Sequence, residues 1–439
     1  TSSPPGRPRE PDLALLLDLT PLRVSPAFRR LWAGLSLSNL GTQLSVVTVG
    51  LQIYDITRST FSVGLLGIFA LVPLVLLGLY GGALVDAYDR RRVALFSALG
   101  LWVVVLGLVT QALLGMESVG LLYGLVALQS AGFAINNPAR TAIIPRLVEP
   151  RLLPAANVLQ TVAWNIALTV GPLIAAFLVA GPGFAAAYAV DAVLFTAALW
   201  ALWRLPGLPP IVGPDDKPLR LGLSAVVDGF RYLATRPNVR MTFVVDLIAM
   251  IVAMPRVLFP AVGVLFLGGG AFTTGVLSAA FAAGAVLAGL FSGGLVRVVH
   301  QGRVIVAAIA VFGLAVAGFG VVLLTTGAGQ PAGVLWIPLV LAGLFLALAG
   351  GSDSVSSVFR QTILQSATPD DMRGRLQGIF IVVVAGGPRL GDLVLGTAAT
   401  WTAESWAALG GGLLCVVLVL AVAVTQPGFW AYDARHPRP

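Results

Sequence analysis

Apolar stretches of about twenty residues recur from one end of this chain to the other, and no other feature narrows its possible folds as much. Each is long enough to cross a hydrocarbon core about 30 Å thick at 1.5 Å of rise per helical residue. Twelve can be marked, at 31–54, 61–84, 93–114, 119–139, 157–180, 185–203, 241–265, 274–296, 304–326, 333–355, 376–399 and 406–425. The alternating ten-residue segments of a transmembrane barrel are absent. Charged residues make up 10% of the 439, against about 25% in an ordinary soluble domain. The predicted fold class is an all-α membrane protein of twelve transmembrane helices, with the lipid bilayer as its surroundings.

The net charge of +8 is distributed by side. If the amino terminus lies inside, all but three of the 27 basic residues fall in inward segments: Arg58 lies outside, and Arg256 and Arg389 fall within spans. Arg140, Arg146, Arg151 and Arg360 are assigned to inward loops by this count. The positive-inside rule therefore predicts cytoplasmic termini in a cell (inner) membrane, and the charge reads as topology rather than as a nucleic-acid patch. The single cysteine, Cys415, rules out a disulfide within the chain. No phosphate loop, no G-x-S-x-G, no H-E-x-x-H and no histidine–cysteine cluster is present, so an ATP-driven pump and an enzyme are both disfavoured; no metal or organic cofactor is expected.

The longest polar interval, 204–240, contains "GLPPIVGPDDKPLR" and divides the spans six and six. It reads as a cytoplasmic linker carrying an amphipathic helix, "LSAVVDGFRYLATRP". The expected organisation is an amino-terminal segment 1–30 with an interfacial stretch, a six-helix bundle 31–203, the linker, a second bundle 241–425 and a cytoplasmic tail 426–439. Internal similarity supports a duplication: Gly82 with Gly294, Arg140 with Arg360 and Pro172 with Pro388 repeat at offsets between 212 and 220.

"GGALVDAYDRRR" resembles the loop motif between the second and third helices of the major facilitator superfamily. Gly82, Asp86, Arg90 and Arg91 match its core, whereas Ala87 replaces the usual basic residue and Asp89 the usual glycine. The segments "YDITRSTFSVGLL", "NPARTAIIPRLV", "QTVAWNIALTVGP" and "PRVLFPAV" are similar to the drug/proton antiporter branch that holds bacterial siderophore exporters and multidrug pumps. The resemblance implies two pseudo-symmetric bundles and alternating access. It also implies an inner latch, in which Asp86 meets the positive end of the eleventh helix at Arg375. In the fifth span, Gly171 and Pro172 match the antiporter motif, which favours export.

Ionisable residues inside spans are expensive in lipid and so point to function. Asp246 lies about 9 Å into the seventh span, and Arg256 about 15 Å further along the same helix. Arg389 and Asp392 share a face of the eleventh. An Arg256–Asp392–Arg389 cluster is expected, either as a proton-linked site or as a structural ion pair between two helices. Asp353, Asp191 and Asp55 read as capping or latching residues near helix ends. Asn39, Gln43, Gln129, Asn136, Asn137, Trp164 and Asn165 are candidates for the cavity lining, with Phe69 and Phe243 near them in depth; for each, a helix–helix hydrogen bond is the competing role. The function expected is proton-driven export of amphipathic small molecules such as drugs or siderophores by a monomer. A lysophospholipid transporter and a receptor that kept the fold are the alternatives.

Overall fold

The computed structural model describes residues 18–209, 231–290, 298–367 and 370–435. Twelve helices of 17 residues or more run through them. In the first half these are α1 (Pro26–Thr57), α2 (Thr60–Ala87), α3 (Arg90–Leu113), α4 (Val119–Ile143), α5 (Leu153–Ala180) and α6 (Phe184–Trp203). In the second they are α7 (Pro237–Ala253), α8 (Ala271–Leu290), α9 (Gln301–Thr326), α10 (Trp336–Ser366), α11 (Asp370–Thr402) and α12 (Glu404–Thr425). Ten spans are long and apolar enough to cross a membrane. The more polar α1, which carries Asn39 and Gln43, falls outside that set, and Arg389 and Asp392 lie on α11.

Capping residues mark where several helices begin. The side chains of Ser25, Ser59, Asp89 and Ser118 accept the backbone N–H of Phe28, Ser62, Arg92 and Leu121, satisfying donors that a first turn leaves free. Short connections such as Arg58–Ser59 and Tyr88–Asp89 then force successive helices to run antiparallel. Both described ends of the chain therefore lie on one face, called inner here after the orientation that the arginines imply.

Three sequence expectations change. The seventh span is not one helix: Met254 is extended (φ −75°, ψ 105°), Pro255–Leu258 form a tighter turn, and helix resumes over Phe259–Leu265. Pro255 causes this, since it has no N–H to donate and drives the residue before it out of the α region. Arg140 and Arg360 are not loop residues; they lie inside α4 and α10. The tail is docked rather than free. Phe429 and Tyr432 are buried against α7 and α9, the backbones of Asp433 and His300 pair in one antiparallel β-bridge, and the Arg303 guanidinium sits 5.9 Å from the Trp430 ring centre. Of the linker, residues 210–230, which hold most of the expected amphipathic helix, lie outside the described residues.

The buried apolar residues divide by depth. On the inner side the halves keep separate cores: Leu31, Ala98, Ile143 and Leu202 belong to one, Val245, Ile309, Phe359 and Phe429 to another. On the outer side one cluster joins both halves, packing Ile53, Tyr54, Leu122 and Tyr188 with Phe259, Phe266, Phe319 and Leu395. Two seams of small residues hold it shut. A methyl at Gly64 would lie 2.5 Å from the Asp392 carbonyl, and one at Gly67 would strike the Arg389 carbonyl, so α2 and α11 touch backbone to backbone. Gly275 of α8 likewise meets Ala176 and the Pro172 carbonyl of α5. At the rim, Thr60 Oγ1 donates to Glu404 Oε1 at 2.6 Å, linking α2 to α12.

Candidate functional site

The cluster of basic residues after α2 is built into its own bundle. Arg91 donates through Nε to the Leu202 carbonyl at 3.2 Å and through Nη2 to the Trp203 carbonyl, capping the last turn of α6. Arg90 Nη1 reaches the Ala142 carbonyl at 3.3 Å, at the end of α4. Asp89 caps α3 with one oxygen and accepts the Leu208 N–H with the other, at 2.9 Å. Among the described residues the contacts of Arg90 and Arg91 lie within the amino-terminal half, at carbonyls that end α4 and α6. The physical reason is that carbonyls at helix ends are the nearest unsatisfied acceptors. The other latch candidates, Gly82, Asp86 and Arg375, lie outside the residues whose side chains are described.

Inside the second half, six ionisable side chains form a chain of opposite charges, a ladder from rung to rung. At its inner end Arg360 of α10 is buried and pairs through Nη1 with Asp246 of α7. Its Nη2 reaches Asp353 Oδ1 at 3.3 Å. Asp353 stands in the middle of α10, not near its end as expected, and feels the charges of Arg360, Asp246 and Arg256. Asp392 in turn feels Arg256 and Arg389, its neighbours in the outer half. Asp246, Asp353 and Asp392 thus stand against Arg360, Arg256 and Arg389, three carboxylates against three guanidiniums, so the group is neutral overall. Such balance is the condition for keeping charges at this depth. Arg256 sits in the turn that interrupts the seventh span and is exposed to open space, whereas Asp392 and Arg389 are half-buried. Between α7 and α10, a charge gained or lost at one rung alters the next, because the low dielectric leaves it unscreened.

The first half is polar in a different way. Arg140 donates to Asn136 Oδ1 at 3.2 Å and to Asn39 Oδ1 at 3.3 Å. Asn136 is fully buried, and its amide donates to the Ala94 carbonyl at 2.9 Å and to Ser97 Oγ at 3.0 Å. It joins α3 to α4, the helix–helix hydrogen bond that stood as the competing role for this residue. Asp191, expected near a helix end, is buried within α6 and accepts from Ser45 of α1 against the close approach of Gly41. Gln52 and Gln111 exchange amide hydrogen bonds at 3.1 Å, and Tyr188 donates to Gln52 at 2.7 Å.

Of the remaining cavity candidates, Gln43 is half-buried where α1 meets Gly171 of α5, and Pro172 faces the α5–α8 seam. Gln129 and Asn165 are half-buried, and Asn137 and Trp164 are exposed. Phe243 is a core residue, and Phe69 stacks on Tyr123 with ring centres 4.5 Å apart. Sequence reasoning missed Arg140, Arg360 and Asp353 as functional candidates. The repeat had already aligned the two arginines, and that alignment was the available signal.

The model of the family described as transmembrane secretion effector matches residues 17–435. The chain is 31% identical over 414 residues to the enterobactin exporter EntS of Escherichia coli O1:K1, covering 93% of this chain and 94% of that one. It is 30% identical over 416 residues to EntS of Citrobacter koseri, covering 94% and 95%. Among solved structures it is similar in fold to the nucleoside transporter NupG, with a TM-score of 0.67, 15% identity and coverage of 91% and 99%. A bacterial homologue of the iron transporter ferroportin in an inward-facing state gives a TM-score of 0.66 at 14% identity, over 90% and 98%.

Proposed function

Because this chain belongs to the transmembrane secretion effector family of the major facilitator superfamily, we propose that it exports amphipathic small molecules, siderophores or drugs among them, in exchange for protons. It is a transporter and not an enzyme, a multi-pass protein of the inner membrane that moves small molecules outward. The observation that carries the substrate class is the similarity to enterobactin exporters along nearly the whole chain. Both termini face the cytoplasm, the working unit is a single chain, and no cofactor takes part; the proton gradient is the energy source.

Alternating access follows from the packing. Among the described residues one shared core closes the outer end while the inner cores stay separate, the packing expected when the bundles part on the inner side. Rocking must part the α2–α11 and α5–α8 seams and bring the inner ends together. Asp392 lies beside the first of these seams, since its backbone carbonyl meets Gly64. Protonating it removes one negative rung from between Arg256 and Arg389 and weakens the charge balance that holds α7 to α11. A proton taken up from outside thereby favours one arrangement of the bundles, and its release inside favours the other.

The test is a substrate panel in inverted vesicles under an imposed pH gradient. Accumulation of a compound that collapses with a protonophore is the expected result. Asp392→Asn should abolish that coupling. Full pH-driven transport in this variant would move the proton to Asp246, and no accumulation by the native chain would refute export.

A further inference from the structure

The two halves place an arginine at equivalent positions, Arg140 in α4 and Arg360 in α10, and neutralise only one of them. Arg360 is held by two carboxylates, Asp246 and Asp353. Where Asp246 stands against Arg360, Asn39 stands against Arg140, and the position that repeats Asp353 is Phe133. Among the described residues Arg140 pairs with no carboxylate; its two contacts are amide oxygens. An amide orients a guanidinium without cancelling its charge. Among the described residues, then, no carboxylate offsets the Arg140 charge.

That charge has a route to ligand. Arg140 is half-buried, three residues from the inner end of α4, about 5 Å along the axis. It stands toward the inner side of the bundle, the side from which an exported molecule enters. A guanidinium with two of its five donors occupied still offers a fork that fits a planar oxyanion.

We propose that Arg140 is a substrate-binding residue that captures an oxyanion, such as a carboxylate, on an amphipathic substrate entering from the inner side. The inference rests on the export reading for its biological setting, but its binding chemistry is testable without transport. An asymmetry follows: anion capture belongs to the first half and the neutral ladder to the second, so substrate and proton need not share a residue.

The experiment titrates the purified full chain with the fluorescent carboxylate dansylglycine and with its uncharged methyl ester. The native chain is expected to bind the acid at least tenfold tighter than the ester. Arg140→Gln should erase the preference, and Arg140→Lys should retain part of it. Asn39→Asp should erase it with Arg140 still present, because it supplies the internal carboxylate found in the other half. That variant also keeps the test decisive if Arg140→Gln does not fold. Equal binding of acid and ester, no binding of the acid, or a preference that survives Asn39→Asp would each overturn the proposal. A chain that shows the expected preference but moves no dye across vesicles would retain this site and remove the export reading.

Discussion

At the scale of single residues, the chain treats buried charge by three rules. Arginines near helix ends cap carbonyls, as Arg90 and Arg91 do. A carboxyl without a cation takes a hydroxyl, as Asp191 takes Ser45. Charges deep in the second half are matched in sign along a ladder. The Asp246–Arg360 pair is the most enclosed rung, with side chains 7% and 5% exposed. Removing one partner from such a site costs about 3–5 kcal/mol, because the survivor remains charged and desolvated. Arg360→Gln should lower the unfolding free energy in detergent by about that amount. Adding Asp246→Asn should restore part of it; a double variant that is additively worse would mean that the two residues act independently. The arginines after α2 were legible as topology but not as caps, since the carbonyls they reach lie at the ends of α4 and α6, far away in sequence.

At the scale of elements, hydrophobic length marked the spans, because a helix in lipid must satisfy its own backbone within one continuous segment. Polar content singled out α1, which carries Asn39 and Gln43. The break in the seventh span was also written locally, in Pro255, and was passed over because the apolar run continues through it. The seams were not legible: glycines are scattered through this chain, and only packing shows which of them face a partner helix. Gly67→Leu should force α2 and α11 apart, since the Arg389 carbonyl occupies the space that the side chain needs. With Cys415→Ala removing the native thiol, a Thr60→Cys probe at the outer rim should then react with an impermeant maleimide added from outside, whereas the same probe without Gly67→Leu should be protected. Equal labelling of the two would mean that the seam does not seal the outer end.

At the scale of the whole molecule, the described residues of the two bundles share a core at the outer end, so a rocking motion would open that end and close the other. Thr60 and Glu404 touch across the closed rim. In the Cys415→Ala background, cysteines at both positions joined by a reducible bifunctional crosslinker should stop substrate flux, and reductant should restore it. Undiminished flux through the crosslinked protein would refute rocking as the transport motion. The amino-acid sequence alone determined the membrane class and where the long helices run, since both are set by segment length and by composition within a segment. Only the tertiary structure decided which charges neutralise each other, that Arg140 meets amides where Arg360 meets carboxylates, and which end of the bundle is closed. Those depend on how each helix is rotated about its axis and staggered against its neighbours, and in lipid that is settled by side-chain packing and charge pairing between helices distant in sequence.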